Sequence, residues 1–201
     1  MLTQSDMRWW QSPEELAAKK KSGERIPMNE PMAAGQHYEV ANLGYVGYVL
    51  GLTPEPDGYL YYDEERLPIM GASPDGWLNQ SETLEPAEFE PTIMVTDTWT
   101  RQRSGRGAVE FLRALVAEHI SVPTEMKHVR SRSRPTWNKP TPPSYYENQV
   151  RHQLAVLDEP VGLLIARCDA YEIYVHVIER EEGYERLLVE ACDRFAAEHL
   201  A

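Results

Sequence analysis

The sequence predicts an α/β (α+β) domain in which a mixed central sheet is flanked by helices. Three observations carry that expectation. Segments of helical period open and close the chain and recur between its strand-like runs. The stretch from Val161 to Cys168 is aliphatic enough to be a buried strand. After it, Tyr171, Ile173, Val175 and Val177 alternate with Glu172 and His176, which is the two-residue period of a second strand. With 201 residues, 42% of them apolar, the chain can bury one substantial core, and residues 1–201 read as a single domain.

The elements follow in order. Ser12-Pro13-Glu14-Glu15 supplies an N-cap, a proline at the first helical position and acids in the first turn, and Gly23 stops that helix. A second helix is expected from about Met32 to Leu50, with Tyr38, Ala41, Tyr45 and Tyr48 at helical spacing and Pro54 and Pro56 ending it. Tyr59 to Tyr62 is strand-like, and Ile69 to Ala72 leads into a turn at Ser73-Pro74-Asp75-Gly76. Residues 79–91 are acidic and proline-bearing with no period, and Gly105 and Gly107 break the chain again. Ala108 to Ile120 is an amphipathic helix, and Thr124 to Val129 a short strand. A basic, proline-rich loop runs to Pro143, and a helix spans Ser144 to Leu157 with Tyr146, Val150, Leu154 and Leu157 on its apolar side. The tail from Glu182 to Leu200 is a closing amphipathic helix. No internal repeat is present.

Acidic residues outnumber basic ones by 32 to 20, a formal net charge of −12, so the surface as a whole is unsuited to binding a phosphate backbone. The distribution is less uniform. Arg101, Arg103 and Arg106 lie close together, and Lys127, Arg130, Arg132, Arg134 and Lys139 form a second basic stretch, enough for a local cationic groove. Cys168 and Cys192 make neither a disulfide framework nor a zinc or iron–sulfur ligand set, and read as buried thiols. With no signal-like N-terminus and no bilayer-spanning run, the expectation is a soluble, cytoplasmic protein without a membrane partner.

Two stretches carry chemistry together. Asp75 lies in a turn after a strand, and Glu125 and Lys127 point to one face of a later strand because side chains repeat every second residue. Hydrolysing a phosphodiester needs carboxylate oxygens to hold a hard cation, an activated water and positive charge near the reacting phosphate. Asp75 and Glu125 are candidate Mg²⁺ ligands, with Mn²⁺ as a substitute and the Met126 carbonyl as a further oxygen. Lys127 is the candidate for positioning or helping to deprotonate the attacking water and for offsetting developing charge. An Asp followed at a distance by Glu-x-Lys is common, and its ordinary reading is a turn aspartate and a solvated strand.

The neighbouring motifs separate the two readings. Leu2-Thr3-Gln4-Ser5-Asp6, Gly35-Gln36-His37-Tyr38-Glu39, Gly71-Ala72-Ser73-Pro74-Asp75-Gly76, Glu125-Met126-Lys127 and Tyr145-Tyr146-Glu147-Asn148-Gln149-Val150 occur in that order. Together they resemble the family of YqaJ-like viral recombinases and phage lambda exonucleases, within the PD-(D/E)xK nucleases. The resemblance implies a restriction-endonuclease-like core and a Mg²⁺-dependent exonuclease that degrades duplex DNA from 5′ ends in phage or prophage recombination. It implies that Asp75 and Glu125 are metal ligands assisted by Glu39, that Lys127 is the catalytic lysine, and that Gln149 touches the site or the DNA. Ser5 is implied to help hold a 5′ phosphate. The implied partners are DNA ends, a single-strand annealing recombinase and further copies of the chain in a trimer.

Two departures from the family pattern bear on this. The arginine that family members carry before the serine motif is missing or replaced by Arg8, which bears on end recognition. The Glu-x-Lys also follows the Ser-Pro-Asp-Gly turn about forty residues later than usual, a helical hairpin's worth of chain. Residues at about 80–121 therefore read as an insertion, with its arginines either over the DNA or simply solvated. Glu85 stands at the usual distance from Asp75 but has Ala87 where the lysine belongs. Glu125 is preferred on motif completeness, and Glu85 is the alternative. Arg130, Arg132, Arg134 and Trp137 are the candidate DNA contacts of the basic loop; Trp9 and Trp10 read as buried or at a contact more readily than as base-stacking. His37 and His152 read as packed or solvated rather than as ligands, since Mg²⁺ prefers oxygen, and His128, pointing to the face opposite Lys127, reads as structural. An endonuclease of the same superfamily and a non-catalytic DNA-binding module on the same fold are the rival functions.

Overall fold

A computed structural model describes residues 2–3, 12–23, 27–97 and 101–200. Helix α1 (Pro13–Ser22) begins as its sequence dictates. The Ser12 hydroxyl accepts the Glu15 N–H at 3.2 Å while the Glu15 carboxylate accepts the Ser12 N–H at 3.1 Å, which satisfies two amides at the helix start. Helix α2 (Glu30–Leu50) is capped by the Asn29 side chain on the Met32 N–H. Its end differs from the expectation. Gly51, at φ 64°, terminates the helix with its N–H turned back to the last turn. Pro54 and Pro56 instead lie in strand β2 (Thr53–Pro56) at the sheet edge, where missing N–H groups cost no ladder bond and block further pairing.

Three short strands, β1 (Leu2–Thr3), β3 (Tyr61–Tyr62) and β4 (Met70–Ala72), form a small sheet in the order β1-β4-β3. The main sheet has seven strands. Its further members are β5 (Gly76–Asn79), β6 (Ile93–Thr96), β7 (Gln102–Ser104), β8 (Ser121–Val129), β9 (Val161–Cys168) and β10 (Glu172–Glu179). The order is β2-β5-β8-β9-β10-β6-β7, with β8–β9 and β10–β6 parallel and the other pairs antiparallel. This is the mixed sheet flanked by helices that the sequence predicts.

Helices cover both faces. On one face α2 and α3 (Gly105–His119) bring Leu43, Val46, Leu50, Val109, Leu112 and Val116 against Leu163, Ile165, Ile173 and Val175. On the other, α5 (Ser144–Leu157) and the short helix α4 (Arg134–Trp137) bring Val150, Leu154 and Trp137 against Leu164, Ala166, Tyr174 and Ile178. The inner strands therefore have no solvent face, which is why β9 reads as a continuous apolar run. It also corrects the reading of β10. His176 was expected on a polar face, but it is buried beneath Trp137 and donates its Nε2 hydrogen to the Trp137 carbonyl at 3.2 Å. Helix α6 (Glu182–Phe195), extended by a π-helical stretch (Ala196–Leu200), closes a third cluster with Leu188 and Cys192 against Met70, Ala72, Ala155 and Val156. Cys168 and Cys192 are buried and form no disulfide.

Residues 80–121 are built into this core. They add β6 and β7 to the sheet and lay α3 across its face, contributing Ile93, Val95, Val109, Leu112 and Val116 to the main cluster. Gly105 and Gly107, expected as breakers, sit in the first turn of α3.

Gly51 has two reasons to be glycine: its left-handed φ, and a Cβ position only 2.5 Å from the backbone of Glu85 and Pro86. Gly23 has the same φ of 64° with open space around it. In urea unfolding, Gly23→Ala should cost about 1 kcal/mol and Gly51→Ala at least twice that, because only the second adds a backbone overlap; equal losses would contradict the packing described.

Burial pushes the His176 imidazole down from 6.5 to about 4, against the opposing pull of its bond to Trp137. The unfolded chain then binds this proton more readily than the native one, so stability is full above pH 6.5 and falls as pH drops toward 4. Between pH 7 and 4.5, wild type should lose about 2 kcal/mol more than His176→Asn in urea titrations. The comparison between the two proteins isolates this group, because Asp75 and Glu39, with raised pKa values, act in the opposite direction in both.

Candidate functional site

The site forms where β5 pairs with β8. The ladder sets Gly76 opposite Thr124, and the Asp75 N–H extends it by donating to the Thr124 carbonyl at 3.1 Å. Gly76 is needed for this approach, since a Cβ there would stand 2.7 Å from the Glu55 carbonyl of β2. Asp75 is thus held beside Glu125 although fifty positions separate them in the sequence. The Asp75 carboxylate accepts the Met126 N–H at 2.7 Å, which fixes its orientation across the strand.

Lys127 stands between the two carboxylates. Its Nζ lies 2.5 Å from Glu125 Oε1 and 3.7 Å from Asp75 Oδ2, and donates to the Met126 carbonyl at 3.0 Å. The Tyr146 ring of α5 closes the other side, 5.5 Å from the ammonium. Glu39, from α2, faces the same cluster: it lines a cavity with Lys127 and is felt by both Asp75 and Lys127. The cluster therefore gathers three carboxylates around one ammonium.

The protonation equilibria reflect that imbalance. Burial, and then the neighbouring charge of Glu125, raises the Asp75 carboxyl well above the ordinary carboxylate range. Burial also raises Glu39, with Lys127 opposing. For Lys127 burial acts downward, but Glu125 and Asp75 outweigh it and the net shift is upward. Lys127 is accordingly a firm cation, whereas Asp75 is a carboxylate short of positive charge.

Asp75, Glu125, Lys127, the Met126 carbonyl and Glu39 thus come together as the sequence predicts. Glu85 does not join them: it is exposed beside Gly51 at the far end of α2. The glutamine differs from the expectation. Gln153, one helical turn after Gln149, donates to Glu125 Oε2 at 2.7 Å and to the Ser73 carbonyl at 3.4 Å. Gln149 is buried, and its Oε1 finds no donor among the described residues. The signal for Gln153 was present in the four-residue spacing, which puts both glutamines on one face of α5.

The basic residues divide. Arg134, though exposed, holds Glu172 by a two-pronged pair at 2.7 Å, whereas Trp137 is 3% exposed and stacked on Tyr146, so its ring lines no groove. A ring buried on both faces has no surface on which a base can stack. Arg130 and Arg132 are exposed, and neither has a carboxylate within ion-pair distance among the described residues. Arg101 and Arg103 hold Asp97, and Arg106 caps the carbonyls of Glu88 and Phe89, all at the opposite edge of the sheet from β2. His152 is a core residue whose Nε2 donates to the Gly71 carbonyl at 3.0 Å. His128, expected to be structural, is exposed and stacks on Tyr38. Ser5, Arg8, Trp9 and Trp10 lie outside the described residues.

No model of a known protein family and no curated protein matches the sequence. Solved structures do match in fold. An alkaline exonuclease from Laribacter hongkongensis is similar with a TM-score of 0.52 at 17% identity, over 92% of this chain and 76% of that one. The complex of that exonuclease with dAMP gives 0.51 at 16% identity over the same shares. The chain thus has the fold of that exonuclease, and its acidic cluster with a single lysine sits on that fold where β5 meets β8.

Proposed function

We propose that this chain is a metal-dependent deoxyribonuclease that degrades linear duplex DNA from 5′ ends. The observation that carries the reading is the convergence of Asp75, Glu125 and Lys127 with Glu39 on a fold shared with an exonuclease. The donor set fits a hard divalent cation by its chemistry, since it offers carboxylate oxygens in excess of the positive charge beside them. Among the described residues no three His, Cys, Asp or Glu side chains stand at mutual metal-holding geometry. The Lys127 ammonium lies between Asp75 and Glu125.

Asp75 and Glu125 are the proposed ligands of Mg²⁺, or of Mn²⁺ in its place, with Glu39 and the Met126 carbonyl as further oxygens. Such an ion supplies a more acidic bound water and neutralises charge on the phosphate. The chain's own groups do the rest. Gln153 donates to the Glu125 carboxylate and so orients it. The Met126 N–H does the same for Asp75. Lys127, a cation at any physiological pH, is placed to hold the attacking water and to offset the charge developing on the phosphoryl oxygens. Its position beside Glu125 and Asp75 fits an electrostatic and orienting role. The 5′ polarity, an annealing recombinase as partner in phage recombination, and assembly into a trimer belong to the same proposal and rest on the motif resemblance.

Purified protein should digest linear duplex DNA labelled at the 5′ end when Mg²⁺ is present and not in EDTA. Lys127→Ala and Glu125→Gln should each lower the rate by 10² or more. Cutting of closed-circular DNA would favour an endonuclease, and DNA binding without cutting in any divalent metal would favour a binding module.

A second test reads stability instead of activity. Asp75→Asn removes one of the crowded carboxylates, so metal-free Asp75→Asn should melt above metal-free wild type. Mg²⁺ should raise the melting temperature of wild type, by stabilising the native state, and leave the variant unmoved. A variant that melts lower and still responds to Mg²⁺ would remove Asp75 from the proposed ligand set.

A further inference from the structure

Beside the acidic cluster lies a cavity of about 360 Å³ between the first half of α2 and the end of β8. Lys127 and Glu39 form its inner wall, and Gly35 keeps the helix side low. At its mouth the rings of Tyr38 and His128 stack on each other, with centroids 4.5 Å apart and planes 14° from parallel. Both side chains are exposed, Tyr38 by 49%. An aromatic pair that helped the protein only by packing would be expected in the core, where burial stabilises it; this pair keeps ring surface in water. Arg130, at the same mouth, has no carboxylate within ion-pair distance among the described residues, unlike Arg134 four positions on.

An aromatic face, an unpaired guanidinium and an adjoining site for phosphodiester chemistry match one class of ligand. We propose that this cavity is the subsite for a single nucleotide of the strand being cut, with its base stacked on the Tyr38–His128 pair and its flanking phosphate on Arg130. The proposal rests on the nuclease reading for the direction of the strand past Lys127, but the stacking itself needs no cleavage. Glu39 on the inner wall repels phosphate, so the base and the non-scissile phosphate belong at the mouth and only the scissile group approaches the acidic cluster. Recognition by a π face is indifferent to base identity, since every base has one. The subsite therefore holds the strand in register without selecting sequence, and nothing in it reads a base edge.

Full-length protein in EDTA, with short duplexes carrying 2-aminopurine at successive positions from the 5′ end, tests this without turnover. One position should lose fluorescence on binding, and Tyr38→Ala or His128→Ala should restore it while weakening binding on the order of ten-fold. An abasic nucleotide at that position should weaken wild-type binding by a similar factor and cost Tyr38→Ala nothing further, a cycle that removes the base without altering the protein. Unchanged fluorescence and affinity in both variants, or additive losses in the cycle, would overturn the subsite. Stacking without cutting in any metal would sink the nuclease reading and spare the subsite; metal-dependent cutting with additive losses would do the reverse.

Discussion

The register of β5 against β8 is the constraint on which the site depends. A strand pair can slip only by turning every side chain over, because the faces alternate residue by residue. One step of slippage would direct Glu125 and Lys127 into the apolar layer beneath α2 and bring Met126 to the cluster in their place. Three features prevent it. Leu78 and Val122 are fully buried, the Asp75 N–H bonds the Thr124 carbonyl, and the Asp75 carboxylate accepts from the Met126 N–H. The last bond joins register to chemistry, since the same carboxylate that pins the strand is the one most crowded by its neighbours.

That crowding has a physical logic. Burial alone would neutralise Asp75, Glu39 and Lys127 by favouring their uncharged forms. The cluster is arranged so that the lysine is rescued and Asp75 is not, because Lys127 has two carboxylates beside it while Asp75 shares one ammonium with Glu125. Gln153 adds a donor to Glu125 but no charge, so it orients the carboxylate without relieving the excess. A core selected for stability would replace one acid by an amide. Retaining all three is a local cost that makes sense if positive charge arrives from outside the chain.

Much of this was legible in the sequence, for reasons that can be stated residue by residue. The Ser-Pro-Asp-Gly turn announces itself by turn chemistry, and Glu-x-Lys by the two-residue period, but it was the order of the neighbouring motifs, through their resemblance to a nuclease family, that joined the two. The capping box at Ser12 and Glu15, and the helix Ser144–Leu157, follow from equally local signals. What failed was non-local. Strands β2, β5, β6 and β7 span only three or four residues each, too few to display a period, and Pro54 and Pro56 read as breakers because nothing local says they lie on a sheet edge. His176 alternates like a solvent-facing residue and is buried only because α4 and α5 fold over that face. Gln149 and Gln153 share one helical stripe, and only the placement of α5 against β8 decides which reaches Glu125.

The same distinction reconciles a net charge of −12 with the DNA substrate proposed for the chain. Counting arginines overstates what is offered to a phosphate backbone, because Arg101, Arg103 and Arg134 are spent on Asp97 and Glu172 within the fold. Near the cluster, Arg130 is left, along with an aromatic pair. If DNA binds at the mouth they line, acidic surface elsewhere disfavours unproductive binding along the backbone, where affinity scales with the number of phosphates neutralised. Affinity must then come from the few groups at that mouth, together with cations recruited by the carboxylates. For the proposed nuclease, the acidity of the chain would then help confine DNA to the place where Asp75, Glu125 and Lys127 meet.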